Sequence, residues 1–241
     1  MSERTQSVDR QRRWGEVDGR EIMFPLVVES MNQAVLTYTV PAAVAQMLVP
    51  GGGYTVTEDD DGNAQFVLAL VDYVDNPWGD YQEVNFGFLA HPTGEPEKNG
   101  SFVYRMPVNQ EFTAEAGNKV LGVPKTVERI TFEYTDDEVE VALWMESRLV
   151  FTVKFPRVAP SGAPEVIENA TYSYLDTQRY QTMLEMELPT GMIDPSAVEM
   201  ELGASPVAEE LRGLQLPKAP DLALWGEQLR ATFNYPEFIG E

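Results

Sequence analysis

The stretch ITFEYTDDEVEVALWM, from Ile130 to Met145, predicts a β-hairpin. Both of its halves are rich in β-branched and aromatic residues, which favour strands. Thr135-Asp136-Asp137 between them is typical of a tight turn. In the second half, Glu138 and Glu140 alternate with apolar residues, as expected for a strand that has one solvent-facing side. This part of the chain therefore predicts an antiparallel sheet.

Similar segments continue on both sides of this hairpin. Strands are predicted at residues 34–40, 54–56, 66–73, 84–89, 101–108, 149–155, 170–175 and 183–187. Short helices are predicted at residues 41–49, 206–214 and 222–233. With 18 Gly and 17 Pro available for turns, the sequence favours a strand-dominated α+β fold, in which a curved or closed antiparallel β-barrel carries a few short helices.

The chain of 241 residues is expected to form a single domain at residues 21–241, preceded by a polar N-terminal arm at residues 1–20. Its hydrophobic share of 43% is ample for a core. No apolar run is long enough to cross a membrane and no secretory signal is recognisable, so a cytoplasmic location is expected.

Composition excludes several classes of function. The net charge of −22 argues against nucleic acid as a partner, because phosphate backbones would be repelled. The chain also lacks a basic amphipathic stretch that would bind a lipid membrane. It has no cysteine and one histidine, His91, which excludes disulfides, thiolate catalysis and a metal site with several histidines. We expect neither a metal nor another cofactor.

Lysine is the residue type best suited to covalent carbonyl chemistry here, because its amine condenses with a ketone to an iminium. Of the five lysines, Lys125 has the most suggestive setting, at the end of GNKVLGVPK, residues 117–125. Its apolar neighbours are expected to desolvate the amine and lower its pKa, which leaves free amine near neutral pH. Taken alone, this pattern is more typical of an exposed lysine in a turn.

A wider stretch strengthens the case for Lys125. PVNQEF at residues 107–112, followed by AGNK at 116–119 and GVPK at 122–125, resembles the active-site segment of the acetoacetate decarboxylase-like superfamily. In that superfamily the lysine of this motif forms the Schiff base, which implies the same role for Lys125. Tyr81-Gln82-Glu83 resembles the segment that supplies an active-site glutamate, which implies a catalytic role for Glu83. The resemblance runs loosely over residues 30–235.

This sequence departs from the superfamily pattern at several positions. Thr126 replaces a second lysine that follows the nucleophile, and Asn118-Lys119 replaces an Arg-Glu pair. An N-terminal arginine is replaced by Met31, and a further glutamate falls near Val67. The resemblance therefore implies a less polar pocket and a larger or more apolar carbonyl compound than acetoacetate. The residues predicted to bind substrate are Glu29, Met31, Val67, Arg105 and Leu121, with Arg105 or Arg20 as candidates for holding a carboxylate.

Three functions remain open at this point. The first is a Schiff-base lyase that acts on a carbonyl compound, most simply by decarboxylation of a β-keto acid or by a related reaction on a bulkier, less polar ketone. The second is an aldolase-dehydratase or cyclase that acts on a 2-oxo acid or a polyketide-like substrate. The third is a barrel that binds an apolar ligand without chemistry, with Lys125 as an ordinary turn residue. The expected partners are a small carbonyl compound and further copies of the chain in a homo-oligomer.

Overall fold

The computed structural model describes residues 11–240 and is dominated by strands. The strands are β1 (Arg12–Val17), β2 (Arg20–Phe24), β3 (Leu26–Pro41), β4 (Tyr54–Val56), β5 (Asn63–Asp75), β6 (Tyr81–Pro92), β7 (Gly100–Val108), β8 (Lys125–Val127), β9 (Arg129–Tyr134), β10 (Glu138–Met145), β11 (Arg148–Pro156), β12 (Val166–Leu175), β13 (Gln178–Glu187), β14 (Gly191–Met192), β15 (Glu199–Leu202), β16 (Leu222–Phe233) and β17 (Glu237–Phe238). The α-helices are α1 (Ala42–Gln46), α2 (Glu111–Ala116) and α3 (Pro206–Gly213), with a π-helical turn at Gly117–Leu121 and a 3-10 turn at Pro195–Ala197. The predicted strand-dominated α+β fold is confirmed.

Seven strands close into a barrel. Their order is β16, β3, β5, β6, β7, β12 and β13, and β13 pairs back with β16 through Leu184–Phe233 and its neighbours. Most of these neighbours are antiparallel, but β7 and β12 pair in parallel over a short stretch. Closure satisfies the backbone groups that a free sheet edge would leave unpaired. The predicted closed barrel is confirmed.

A second sheet of four strands, in the order β15, β11, β10, β9, covers one outer side of the barrel. The hairpin of β9 and β10, at one edge of this sheet, is the one predicted from the stretch around Thr135, with Val139 opposite Tyr134. Aromatic side chains join the two layers: the rings of Phe86 on β6 and Phe151 on β11 lie 6.2 Å apart. The main hydrophobic core fills the space between this sheet and the barrel.

Strand β3 shows how the barrel separates two environments. Its side chains alternate, so that Ala34 and Leu36 are fully buried in the main core while Gln33 and Val35 line a cavity inside the barrel. Neighbouring strands keep the same register, with Gln33 opposite Val71. The alternation therefore places a second set of side chains around the lumen, where the candidate site lies.

The predicted helix at residues 222–233 is wrong, because this segment is strand β16. It pairs with β3 on one side and with β13 and β14 on the other. An irregularity in its register between Gly226 and Leu229 places the buried side chains of Trp225 and Leu229 four positions apart in the chain. That spacing imitates a helical period, and the pairing on both edges overrides it.

The helices predicted at residues 41–49 and 206–214 are confirmed in shorter form as α1 and α3. The predicted N-terminal arm lies partly outside the described residues. Within it, β1 pairs with β2 as a hairpin, and the side chain of Val17 is buried. The described helices are too short and too polar for any of them to cross a membrane.

Candidate functional site

Lys125 begins strand β8 and follows helix α2 and a π-helical turn closely in the chain. Helix α2 runs into the π-helical turn, which ends at Gly122 with φ of +66°. A side chain at Gly122 would be strained in this left-handed conformation, and its Cβ would lie 2.4 Å from the carbonyl oxygen of Tyr174. Strand β8 then runs parallel to β7, with Lys125 opposite Met106.

The π-helical turn holds Lys125 by its backbone. The Asn118 side chain accepts a hydrogen bond from the Lys125 backbone N–H at 2.9 Å and donates one to its carbonyl at 3.0 Å. A Cβ added to Gly117 would lie 2.7 Å from Cδ of Lys125, so glycine leaves the path of the lysine side chain open. The sequence analysis noted Asn118 only as a departure from the superfamily pattern and missed this contact.

The Lys125 side chain ends in a buried ion pair. Its Nζ lies 2.7 Å from Oε2 of Glu83, and both side chains are 4% exposed. The ammonium also donates to the hydroxyl oxygens of Thr113, at 3.2 Å, and Tyr81, at 3.3 Å. The structure thus brings together the two residues that the sequence analysis proposed as catalytic, and it adds two hydroxyl groups.

The second oxygen of Glu83 is held by two further side chains. Asn85 donates a hydrogen bond to Oε1 at 3.1 Å, and the Tyr73 hydroxyl donates one at 3.4 Å. The rings of Tyr73 and Tyr81 stack with centroids 4.4 Å apart. Burial, followed by the nearby Glu83 carboxylate, raises the pKa of both phenols, so that both remain protonated.

The predicted depression of the Lys125 pKa is wrong for the unliganded protein. Burial alone lowers this pKa, but the Glu83 carboxylate and Tyr81 outweigh it, so the pKa of Lys125 is raised above its ordinary value. The resting site therefore holds an ammonium and a carboxylate. Local sequence around Lys125 revealed its apolar neighbours but gave no sign that Glu83 would contact its amine.

The ion pair lies in the wall of a cavity of about 250 Å³ inside the barrel. This volume is slightly below the range of about 300–1,000 Å³ that is usual for drug-sized ligands. The wall is mostly apolar and includes Met31, Val67 and Leu121, three of the residues predicted to bind substrate. Among the described residues, Lys125 is the only cation in this wall. The cavity thus suits a small, largely apolar molecule.

The other predicted substrate-binding residues lie elsewhere. Glu29 is exposed and forms an ion pair with Arg230. Arg105 points away from the lumen and pairs with Glu210 of α3 at 2.9 Å. Arg20 stacks on the ring of Phe112, with 4.2 Å between Cζ and the ring centroid. None of these three side chains lines the cavity that contains Lys125, so the structure does not bring them to the candidate site.

Sequence reasoning also missed four side chains of the site. Tyr81 and Asn85 flank Glu83 at a spacing of two, which places all three on one face of a strand, so the period of β6 was a usable signal. Thr113 on α2 and Tyr73 on β5 gave no comparable signal, since only the closure of the barrel brings them to the ion pair.

A family model described as Acetoacetate decarboxylase (ADC) matches residues 16–202. The chain belongs to the acetoacetate decarboxylase family. This family comprises enzymes that act on carbonyl compounds, and the matched region contains both Lys125 and Glu83. No curated protein sequence matches the chain significantly.

Solved structures resemble this member of the acetoacetate decarboxylase family over most of its length. A structure of acetoacetate decarboxylase gives a TM-score of 0.65 at 14% identity and covers 90% of this chain and 89% of its own. The acetoacetate decarboxylase of Legionella pneumophila gives 0.64 at 14% identity, with 90% and 87% covered.

The enduracididine biosynthesis enzyme MppR, complexed with pyruvate, gives a TM-score of 0.58 at 14% identity, with 89% of this chain and 90% of its own covered. A further MppR structure contains the condensation product of pyruvate and imidazole 4-carboxaldehyde. At sequence identities of 13–14%, the similarity to these structures establishes the shared fold alone.

Proposed function

We propose that this protein is a lyase that forms a Schiff base between Lys125 and a ketone, and that it decarboxylates a β-keto acid bulkier and less polar than acetoacetate. The observation that carries the proposal is the Lys125 amine, 2.7 Å from Glu83, in the wall of a mostly apolar cavity. A buried lysine beside a group that can accept its proton is the arrangement that amine nucleophiles require.

The reaction begins with a proton transfer from the Lys125 ammonium to the Glu83 carboxylate, which leaves a neutral amine and a neutral acid. The amine then attacks the ketone carbon and gives a carbinolamine. Protonated Glu83 donates its proton to the departing hydroxyl group, which leaves as water. The products are a protonated imine on Lys125 and the regenerated carboxylate of Glu83, so the total charge is unchanged.

The apolar wall favours decarboxylation as the next step. A carboxylate β to the imine loses its charge when the carbon–carbon bond breaks, because the electron pair moves to the imine and carbon dioxide leaves. An apolar surrounding disfavours the charged starting state more than the less charged transition state. An arginine paired with the substrate carboxylate would oppose this effect by stabilising the charged starting state, and the described cavity wall contains no arginine. The resulting enamine is protonated at carbon, and water then releases the ketone from Lys125.

An aldol-type reaction is the second candidate, and the position of Glu83 supports it. After imine formation, the Glu83 carboxylate is close enough to Lys125 to remove a proton from the adjacent carbon of the substrate. The MppR structure that contains the condensation product of pyruvate and imidazole 4-carboxaldehyde also supports this candidate. In both reactions the partner is a small carbonyl compound. A homo-oligomeric assembly and a cytoplasmic location also remain proposals.

The test is reductive trapping with borohydride, followed by mass spectrometry of peptides. Incubation with an alkyl-substituted β-keto acid should give one reduced adduct, located on Lys125. Lys125→Arg should abolish both adduct and turnover, with a loss of at least about a thousandfold, because guanidinium does not form the imine. Lys119→Arg is the matched control and should retain both, since Lys119 is exposed and pairs with Glu115.

The outcomes separate the alternatives. Release of carbon dioxide together with the adduct supports decarboxylation. An adduct without carbon dioxide release supports the aldol-type reaction, to be followed by a search for condensation with an added aldehyde. If ketones bind reversibly but no lysine is ever trapped, the protein is a non-catalytic binding barrel. An adduct on Lys119 or Lys154 would overturn the assignment of the nucleophile.

A further inference from the structure

The amine of Lys125 has three oxygen partners, and an imine on this residue does not keep all of them. Its Nζ lies 2.7 Å from Oε2 of Glu83 and donates hydrogen bonds to the hydroxyl oxygens of Thr113 and Tyr81. An ammonium carries three hydrogens, whereas the nitrogen of a protonated imine carries one. That hydrogen stays with Glu83, because the carboxylate and the imine have opposite charges. The hydroxyl groups of Thr113 and Tyr81 therefore lose their donor when a ketone is bound covalently.

Of these two hydroxyl groups, the one of Tyr81 belongs to a residue on the substrate side. Tyr81 lines the cavity, whereas Thr113 is fully buried and is not among the described residues of the cavity wall. The Tyr81 oxygen lies 3.3 Å from Nζ of Lys125. The substrate carbon next to the imine carbon lies about 2.5 Å from the same nitrogen by standard bond lengths. The hydroxyl is therefore within reach of this carbon when the carbon lies on the Tyr81 side of the imine.

The ring of Tyr81 is held in place and its hydroxyl stays protonated. The ring stacks on that of Tyr73, with 4.4 Å between the centroids. Burial and the Glu83 carboxylate raise the pKa of Tyr81, so the resting phenol retains its proton. A positive charge on the Lys125 nitrogen acts in the opposite direction and would stabilise a phenolate beside a protonated imine. Tyr81 is thus a proton donor whose conjugate base is favoured by the charge that the transfer creates.

The balance of protons shows that decarboxylation needs such a donor. When the imine forms, Glu83 gives its proton to the departing hydroxyl group and becomes a carboxylate again. Loss of carbon dioxide moves the electron pair of the broken carbon–carbon bond to the imine, which leaves a neutral enamine while Glu83 carries no proton. The overall conversion of a β-keto carboxylate to a ketone and carbon dioxide consumes one proton. The enamine carbon therefore needs a second acid.

We propose that the Tyr81 hydroxyl protonates the enamine carbon after carbon dioxide has left. The proposal rests on the proposed decarboxylation and assigns one of its steps. The O–H bond of Tyr81 breaks, a C–H bond forms from the enamine electron pair, and a phenolate faces the regenerated protonated imine. Water then hydrolyses this imine to the ketone and the Lys125 ammonium. One proton from solvent restores the phenol, and this is the proton that the overall reaction consumes.

The test separates release of carbon dioxide from release of ketone in Tyr81→Phe, which removes the hydroxyl and keeps the ring. Wild type and variant are mixed with 3-oxohexanoate or 3-oxooctanoate, whichever the wild type consumes faster. Both products are followed by rapid quench, and the spontaneous reaction is subtracted.

Steady-state turnover of Tyr81→Phe should fall at least about tenfold, since a general acid typically contributes about 10²–10⁴-fold. Carbon dioxide should nevertheless appear in an initial burst that approaches one molecule per active site, because the enamine accumulates after the first decarboxylation. A residue that merely supported the site would slow carbon dioxide release in the first turnover as well.

Two further hydroxyl deletions serve as comparisons. Tyr73→Phe removes the other hydroxyl of the stacked pair, which bonds to Glu83, so it should slow the steps before loss of carbon dioxide and give no burst. Tyr104→Phe lies in the main core outside the lumen and should leave both turnover and burst as in the wild type. Circular dichroism verifies that each variant is folded. If Tyr81→Phe is not folded, Tyr81→Met, which also lacks the hydroxyl and packs adaptably, is measured with the same expected burst.

The outcomes distinguish this proposal from the proposed function. If the wild type decarboxylates through Lys125 and Tyr81→Phe turns over at the same rate, another acid protonates the enamine, so the proposal is wrong and the Schiff-base function stands. Slow turnover of Tyr81→Phe without a burst also overturns the proposal, since Tyr81 would then act before carbon dioxide leaves. If the wild type releases no carbon dioxide above the spontaneous rate, the proposed decarboxylation fails, and the step assigned to Tyr81 fails with it.

Discussion

The two faces of the barrel strands perform different tasks, although they alternate along the same residues. On β5 and β6, the outward side chains of Leu68, Val84 and Phe86 are fully buried in the main core. The inward side chains of Val67 and Asn85 are only partly buried and border the cavity. The outward face is filled by large apolar groups from the second sheet, whereas the inward face keeps open space and unsatisfied polar atoms.

This difference indicates where the stability and the selectivity of the protein originate. Close packing on the outward face gains free energy from each buried methyl group. The inward face forgoes part of that gain, because a cavity removes contacts and a buried acceptor without a partner is costly. The outward core supplies the stability that allows the lumen to be shaped for a ligand. The predictions below test this division.

The largest effect on stability should come from the same substitution made on the two faces. Val84→Ala, on the outward face, should lower the free energy of unfolding by about 2–3 kcal/mol, because it leaves a void in a closely packed core. Val67→Ala, on the inward face, should cost less than about 1 kcal/mol, since its side chain already borders open space. Urea denaturation with a common m-value measures both.

The effect on ligand selectivity should be reversed, with the larger change at Val67 and the smaller one at Val84. Val67→Ala enlarges the cavity and should shift ketone trapping toward longer chains, while Val84→Ala should leave the preferred chain length unchanged. Equal losses of stability at the two positions would contradict the proposed division between the faces.

Much of the outward face was predictable from sequence. The hairpin of β9 and β10 combines a clear turn with period-two alternation, and both features are local. Strand β16 was not predictable in this way, because its register irregularity between Gly226 and Leu229 imitates a helical period. Helix α2 and the π-helical turn lie in a segment where a motif drew attention to Lys125, and their helical character was missed.

The site was predictable as far as a motif or a strand period extended. Lys125 and Glu83 were proposed from the resemblance, and Met31, Val67 and Leu121 were assigned to a pocket whose wall they do form. The contacts between distant segments were not accessible, since Tyr73, Thr113 and Glu83 meet only in the closed barrel. For the same reason the direction of the Lys125 pKa shift was predicted wrongly: burial is visible in local sequence, whereas a partner from another strand is not.

Replacing Glu83 should reverse the direction in which Lys125 makes the stability of the fold depend on pH. In the wild type the pKa of Lys125 is raised above its ordinary value of 10.5. The pair then stabilises the fold fully below the unfolded-state pKa, and this contribution is lost as pH rises through the folded-state pKa. In Glu83→Gln only burial remains to act strongly, so the pKa of Lys125 should fall below 10.5.

The stability of the Glu83→Gln variant should therefore increase with pH below the unfolded-state pKa of lysine, where the wild type shows no such increase from this group. Urea denaturation between about pH 8 and 11 measures the difference in slope between the two proteins. Glu29→Gln is the control, because Glu29 is exposed and pairs with Arg230 outside the cavity. Parallel curves for wild type and Glu83→Gln would show that the carboxylate does not govern the protonation of Lys125.

The smallest effect should be a gain in stability from a substitution in the lumen. Gln33 is 6% exposed with an unsatisfied acceptor, so replacing it by leucine removes a desolvation cost and buries additional apolar surface. Gln33→Leu should raise the free energy of unfolding by about 1 kcal/mol in the absence of ligand. Gln178→Leu, at an exposed turn, should change the free energy of unfolding by no more than about 0.5 kcal/mol. A destabilised Gln33→Leu protein would mean that the Gln33 amide supports the barrel itself, and the contrast between a packed outer face and a ligand-shaped inner face would no longer hold at β3.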